Sequence, residues 1–238
     1  MFSKIDLPQQ LWNIIDFFKT DNILFTFAGT GVSALEVICT VTGLLCVFLA
    51  VRGKVANFWI GYLYNILLFL LFLQNRLYSS MLLQPISLAI NLFGHYRWTH
   101  PREGEKDSQN RLKITVYNNG QRAVVLGVVL MFMFVWGYIL SRVDVWFPSI
   151  FQKANLPYFD AFILGTVLTA QYLSAQKKLD CWGAWLIANC CNIALCAMAG
   201  LRLMTLVYAA YIVLAIGGFF MWRGQMKKES ANSLSSRE

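Results

Sequence analysis

Trp182, Trp185, Asn189 and Asn192 fall on one side of a single apolar segment. At about 100° per residue, setting Trp182 at zero places Trp185 near −60°, Asn189 near −20° and Asn192 near −80°. Two indoles and two carboxamides therefore share an arc of about 80°. A carboxamide in hydrocarbon costs several kcal/mol, on the order of 2–7, unless it is partnered. Flat aromatic faces beside amide donors and acceptors suit a ligand that is both planar and polar. Other polar residues repeat the pattern. Gln84, Ser87 and Asn91 form a second stripe, Tyr208 and Tyr211 a third, and Asn65 and Gln171 each stand within an apolar run.

The surrounding composition fixes the solvent of these stripes. The chain has 238 residues, of which 58% are hydrophobic and 13% charged, with mean hydropathy +0.53. That is about half the charge a soluble domain carries, so the reading is an integral membrane protein surrounded by a lipid bilayer. The net charge of +8 comes from residues scattered between apolar runs, which excludes a continuous nucleic-acid-binding face. The six cysteines all sit in apolar runs, without C-x-x-C pairs or zinc spacing, so neither a disulfide nor a metal site is expected. No phosphate loop, H-E-x-x-H or G-x-S-x-G motif is present, and no cofactor or enzymatic activity is expected. Every lysine lies outside the apolar segments, which excludes a retinal Schiff base.

Seven segments of spanning length fall at 33–51, 57–75, 78–98, 122–141, 158–176, 181–199 and 203–222. Residues 1–30 read as an N-terminal interfacial amphipathic segment. Residues 99–157 comprise a polar loop with an Asn-Asn-Gly turn, the linker helix 122–141 and an interfacial connection, and 223–238 form a tail. The loops after spans one, three and five, counting Arg97 and Arg122 at the adjoining span ends, hold with the C-terminal tail fourteen of the 20 Lys and Arg residues. The positive-inside rule then puts the N-terminus outside and the C-terminus in the cytoplasm.

An ungapped offset of 124 residues lays 36–98, within the first three-helix repeat 31–98, on 160–222, within the second, 158–222. It matches Glu36 with Asp160, Thr42 with Thr166, Lys54 with Lys178 and Phe58 with Trp182. It also matches Asn65 with Asn189, Gly94 with Gly218 and Trp98 with Trp222. Two three-helix copies separated by one span share an orientation. The expected fold is therefore all-α, with seven transmembrane helices in a 3+1+3 parallel repeat. Glu36 and Asp160, each near the start of its span, read either as gating acids or as structural helix-start groups.

The Trp182-x-x-Trp185-x-x-x-Asn189 motif, Asn192 one turn on, the acidic start of each copy and the close Gly94-His95-Tyr96-Arg97-Trp98 resemble the PnuC-type nicotinamide riboside transporters. These are distant relatives of the SWEET sugar transporters. The resemblance spans residues 33–224 and implies uptake of nicotinamide riboside by facilitated diffusion through a homotrimer of the inner membrane. Trp182, Trp185, Asn189, Asn192, Asn65, Gln84, Asn91, Gln171, Tyr208 and Tyr211 are the candidate substrate-binding residues. A carrier for another small polar vitamin or sugar is the first alternative. A membrane enzyme or assembly subunit using the stripes as interhelical glue is the second.

Overall fold

The computed structural model of the protein describes residues 17–74, 78–147, 156–198 and 202–235. Among them are seven helices: α1 (Ala34–Val51), α2 (Ala56–Gln74), α3 (Tyr78–Thr99), α4 (Asn119–Trp146), α5 (Pro157–Ala175), α6 (Cys181–Met198) and α7 (Arg202–Ser235). Five of these, α1, α2, α4, α6 and α7, are long and apolar enough to cross a membrane. The other two are of similar length but more polar, α3 because Gln84, Ser87, Asn91, His95 and Arg97 interrupt it.

Local chemistry sets the helix starts. Ser33 caps α1, and Glu36 reaches back to the Ser33 N–H at 2.8 Å, a reciprocal capping box. Asn118 and Gln121 make the same box at α4. The Asn-Asn-Gly signal is therefore a helix cap rather than a turn, and α4 begins at Asn119. Pro157 opens α5 at a position where its missing N–H is harmless. The expected N-terminal amphipathic helix falls mostly on residues 1–16, outside the described residues. The rest of that segment holds a two-stranded hairpin, β1 (Ile23–Phe27) and β2 (Thr30–Ser33). Ala28 and Gly29 turn it with positive φ of 51° and 87°, the combination that suits the twist of paired strands. The segment after 222 is helical at first: α7 continues to Ser235.

Six helices close into a ring. α1 packs on α2, α2 on α3, α3 on α5, α5 on α6, α6 on α7, and α7 on α1, while α4 packs on α5 from outside. The offset of 124 carries each contact of the ring onto another. It carries local geometry as well. After α1 the N–H groups of Arg52, Gly53 and Lys54 bond the carbonyls of Phe48, Ala50 and Leu49; after α5 those of Gln176, Lys177 and Lys178 bond Tyr172, Ser174 and Leu173. Both turns need a left-handed residue, Gly53 at φ +65° and Lys177 at φ +56°.

One end of the ring, where the basic loops gather, is sealed by an apolar cluster. Val51, Phe58, Trp98, Leu173, Trp182 and Trp222 meet there beneath Leu112 and Ile114 of the α3–α4 loop. Gly94 admits Phe58, and Gly218 admits the Trp182 ring, whose atoms lie 2.5–2.6 Å from where a Cβ would stand. The Trp98 Nε1–H donates to the Ser174 carbonyl at 3.2 Å, and the Trp222 Nε1–H donates to those of Ala50 and Val51 at 3.2 and 3.1 Å. Ser174 and Ala50 are themselves 124 residues apart. Each indole thus ties the last helix of one unit to the first helix of the other.

The α3–α4 loop is fastened across this end. The Arg122 Nε–H and the Tyr117 N–H donate to the two oxygens of Asp180 at 2.7 and 2.8 Å, and Ser108 binds Glu229. Lys177 is 5% exposed. Its ammonium donates to the Leu112 carbonyl at 2.7 Å and lies 5.0 Å above the Trp98 ring. Burial first, then nearby Arg111, pushes its pKa down to about 8, partly opposed by Asp107. An unfolded lysine titrates near 10.5, so between about 8 and 10.5 the folded chain binds fewer protons than the unfolded one. Stability contributed at this residue therefore rises with pH across that window and is flat below it. Denaturation of detergent-solubilised Lys177→Met should show a shallower rise from pH 8 to 10.5 than the wild type; an identical slope would refute the assignment.

Candidate binding site between the helical units

The inner lining of the ring can be read from the faces turned outward. On α6, Ile187 is exposed, and Trp185 and Asn192 lie about 160° and 140° around the helix from it. On α2, Ile66 is exposed and Gly61 and Tyr64 are about 140° and 160° away; on α7, Val213 is exposed and Tyr208, Tyr211 and Ala215 are about 140–160° away. On α3, Gln84, Ser87 and Asn91 lie roughly 120–180° from exposed Phe93. The polar stripes therefore face one another across the ring. Gln84, Ser87, Asn65 and Asn189 are buried.

Asn65 and Asn189 stand near the middle of α2 and α6. The Asn65 Nδ2–H donates to the Gly61 carbonyl at 2.9 Å, and Asn192 does the same to Ala188 at 2.9 Å. Such a bond uses one amide proton and leaves the second proton and the oxygen for another partner. The Asn91 amide nitrogen lies 3.1 Å from where a Cβ on Gly61 would stand. The matched pair is Trp185 and Ala215: one unit sets an amide over a glycine where the other has an indole and an alanine. Trp185 is half-buried against the apolar cluster.

Trp182 is placed differently from its expected role. It is 3% exposed, its ring lies on Gly218, and the edge of Trp222 meets it at 5.2 Å and 83°. Its stacking surface is thus engaged by the protein. The indole N–H, however, is buried without a hydrogen-bond partner among the described residues, and so is Oε1 of Gln171 on the neighbouring helix α5. One is a donor and the other an acceptor. A buried orphan of this kind costs about 1–3 kcal/mol until a water or ligand satisfies it.

The two acids do not behave as a pair. Glu36 accepts from the Ser33 N–H and hydroxyl at 2.8 and 3.0 Å, a helix-start role. Asp160 lies in the first turn of α5 and is half-buried. His95 pairs with the Tyr62 hydroxyl at 2.7 Å and stacks on Phe58 at 5.5 Å, inside the packing of α2 against α3. Sequence reasoning passed over Tyr64, which reaches Tyr211 across Gly43. The available signal was a glycine on the inward face of α1, directly opposite the face carrying Val41, Leu45 and Phe48.

Known proteins share this architecture. A family model described as nicotinamide mononucleotide transporter matches residues 33–224. The chain belongs to that family. The nicotinamide riboside transporter PnuC of Escherichia coli (strain K12) is 28% identical over 240 residues, covering 93% of this chain and 100% of the relative. The riboflavin/roseoflavin transporter RibM of Streptomyces davaonensis is 21% identical over 195 residues, covering 82% of this chain and 87% of the relative. A crystal structure of the vitamin B3 transporter PnuC superimposes with a TM-score of 0.65 at 22% identity, covering 93% of this chain and 92% of that one. That likeness shows the fold. Family membership, with several helices able to cross a bilayer, makes this chain a multi-pass membrane transporter.

The capping role of Glu36 predicts a separation of effects. Glu36→Ala should lower unfolding stability by about 1 kcal/mol, Glu36→Gln by less, and neither should alter the rate of solute uptake into proteoliposomes. Loss of uptake with unchanged stability would restore the gating role.

Proposed function

We propose that the chain carries nicotinamide riboside across the inner membrane by facilitated diffusion. The ligand lies midway between two parallel three-helix repeats, α1–α3 and α5–α7, with α4 as tether. The observation that carries this reading is that two buried polar atoms, the Trp182 N–H donor and the Gln171 Oε1 acceptor, have no partner among the described residues. A primary carboxamide offers an acceptor and a donor together. Trp185 supplies the face for the pyridinium, a desolvated cation–π contact worth on the order of 2 kcal/mol. Asn65, Asn189, Asn192, Gln84 and Asn91 supply amides around it, and Tyr208 and Tyr211 hydroxyls for the sugar.

The ring favours a riboside over a mononucleotide. A phosphate needs Arg, Lys or a cluster of N–H groups, and the inward stripes carry only amides, hydroxyls and indoles. Arg97, the one basic residue in this stretch of α3, is turned to Glu105 at 3.0 Å. The basic end, with the C-terminus, is assigned to the cytoplasm by the positive-inside rule. The trimer implied by the resemblance has room for its contacts on α4, where only Val129 and Gly137 are buried within one chain.

Two measurements test the proposal. In proteoliposomes, uptake of labelled nicotinamide riboside should saturate, leave the ligand unchanged, and accumulate it when a potential negative inside is imposed, since a unit charge gains about 2.3 kcal/mol per 100 mV. Trp185→Ala should weaken binding at least tenfold by calorimetric titration. Chemical conversion of the ligand, or affinity unmoved in the variant, would defeat the reading.

Alternating access then requires the Trp98 and Trp222 bonds to break on the cytoplasmic side. Trp98→Phe and Trp222→Phe keep an aromatic ring but lose a bond worth about 1 kcal/mol. With the other cysteines replaced, Cys181, fully buried in the seal, should react about fivefold faster with maleimide added from the cytoplasmic face. No acceleration in either variant would mean that the seal is not the inner gate.

A further inference from the structure

Tyr64 of α2 and Tyr211 of α7 come together on the inward side of α1. The two phenols lie side by side over Gly43. The Tyr211 hydroxyl and the Tyr64 ring, the latter 3.0 Å from the site of a missing Cβ, both crowd Gly43. Any other residue there would push them apart. Tyr208 adds a third phenol, its ring 6.3 Å from that of Tyr211. The related seam, between α5 and α3, has none of this. There the offset of 124 places Val167 for Gly43, Ala188 for Tyr64, Ser87 for Tyr211 and Gln84 for Tyr208. Bulk is exchanged in the opposite sense at Gly61 and Trp185. The inward side of the ring thus carries an indole at α6 and phenols at α2 and α7, with amides on α2, α3 and α6.

Two phenols held side by side offer two hydroxyls, each able to donate one proton and to accept. Adjacent hydroxyls of this kind are the complement of a vicinal diol. The amides answer a carboxamide; the phenols answer an alcohol. The cargoes named for the two relatives, nicotinamide riboside and riboflavin, differ in their rings but each carries a five-carbon chain with vicinal hydroxyls. We propose that the Tyr64–Tyr211 pair, seated over Gly43, recognises the vicinal diol of the substrate's five-carbon sugar or polyol. This assignment rests on the carrier reading above and makes the pair the specificity determinant for riboside over free base. A site built around a hydroxyl discriminates strongly against the analogue that lacks it.

The test compares binding of nicotinamide riboside with that of its 2′,3′-dideoxy analogue by calorimetric titration. The wild type should favour the diol. Tyr211→Phe and Tyr64→Phe, which keep the rings, should each weaken riboside binding about tenfold and leave the dideoxy analogue unmoved. Gly43→Ala should act in the same direction. Trp185→Ala should weaken both ligands alike. Equal losses on the two ligands in the Phe variants, no loss on either, or no wild-type preference for the diol would each overturn the assignment while leaving a carrier that binds the ring. Failure of the wild type to bind either ligand would instead overturn the carrier reading, and this assignment with it.

Discussion

Two indole N–H groups hold the architecture together at one end. Each donates to carbonyls at the C-terminus of the other unit's first helix. Ala50 and Ser174 already accept there from the turn N–H groups of Gly53 and Lys177, and the indole takes the second lone pair. Trp98 and Trp222 make these bonds while spanning the two seams of the ring. Their large rings can reach because Gly94 and Gly218 clear space for Phe58 and Trp182 beneath them. The glycines, the aromatic pairs and the helix ends are therefore one connected device, present twice. Removing a glycine would displace a ring before it disturbed a backbone.

The correspondence at an offset of 124 is kept at the closed end of the ring and lost along its inward stripes. Lys54 and Lys178, Gly94 and Gly218, Trp98 and Trp222 preserve the closing geometry. Along the inward stripes the units diverge: Gly61 against Trp185, Tyr64 against Ala188, Asn91 against Ala215, Leu68 against Asn192. A chamber with two identical walls would present the same chemistry to both ends of a ligand. On the proposed reading the ligand, with a flat charged ring at one end and hydroxyls at the other, needs unlike walls, and these substitutions make the two sides differ. The sealed end diverges as well. Lys177 occupies the left-handed position that Gly53 fills in the first unit, accepting backbone strain for a side chain that ties down the α3–α4 loop.

Much of this was legible in the residues, for physical reasons that also explain the omissions. Hydropathy registers the passage from lipid to water, so the bounds of α1, α2, α5 and α6 agree with expectation to within a residue or so. It does not register where a helix ends in water. The last part of α7, rich in Lys and Ser, reads as tail yet remains helical to Ser235, and α4 extends past Arg142 and Asp144 to Trp146. The hairpin at Ile23–Ser33 left little trace because Ala28, a poor residue for positive φ, takes half of its turn. The stripes on α3, α6 and α7 were visible from angular spacing alone. Tyr64 was not, because its partner lies on another helix and its seat is a glycine on a third; periodicity within one segment carries no information about such a triangle. Trp182 shows the converse limit. Spacing put it beside Trp185, but packing gave its face to Gly218 and left only its N–H for other work.

The unpartnered donor and acceptor bear on how tightly such a chamber should hold its cargo. With the Trp182 N–H and the Gln171 oxygen unsatisfied, the empty ring is disfavoured by about 1–3 kcal/mol for each group. Water can supply part of that satisfaction in a polar cavity. A ligand therefore gains only the difference between its own hydrogen bonds and those of the water it displaces. On the proposed reading this is an advantage. A facilitator must release what it binds, and a site whose polar groups are nearly as well served by water binds selectively without binding tightly. Selectivity then comes from geometry that water need not match, the flat face of Trp185 and the fixed spacing of the two phenols. Affinity is tempered by the solvent that refills the ring when it opens.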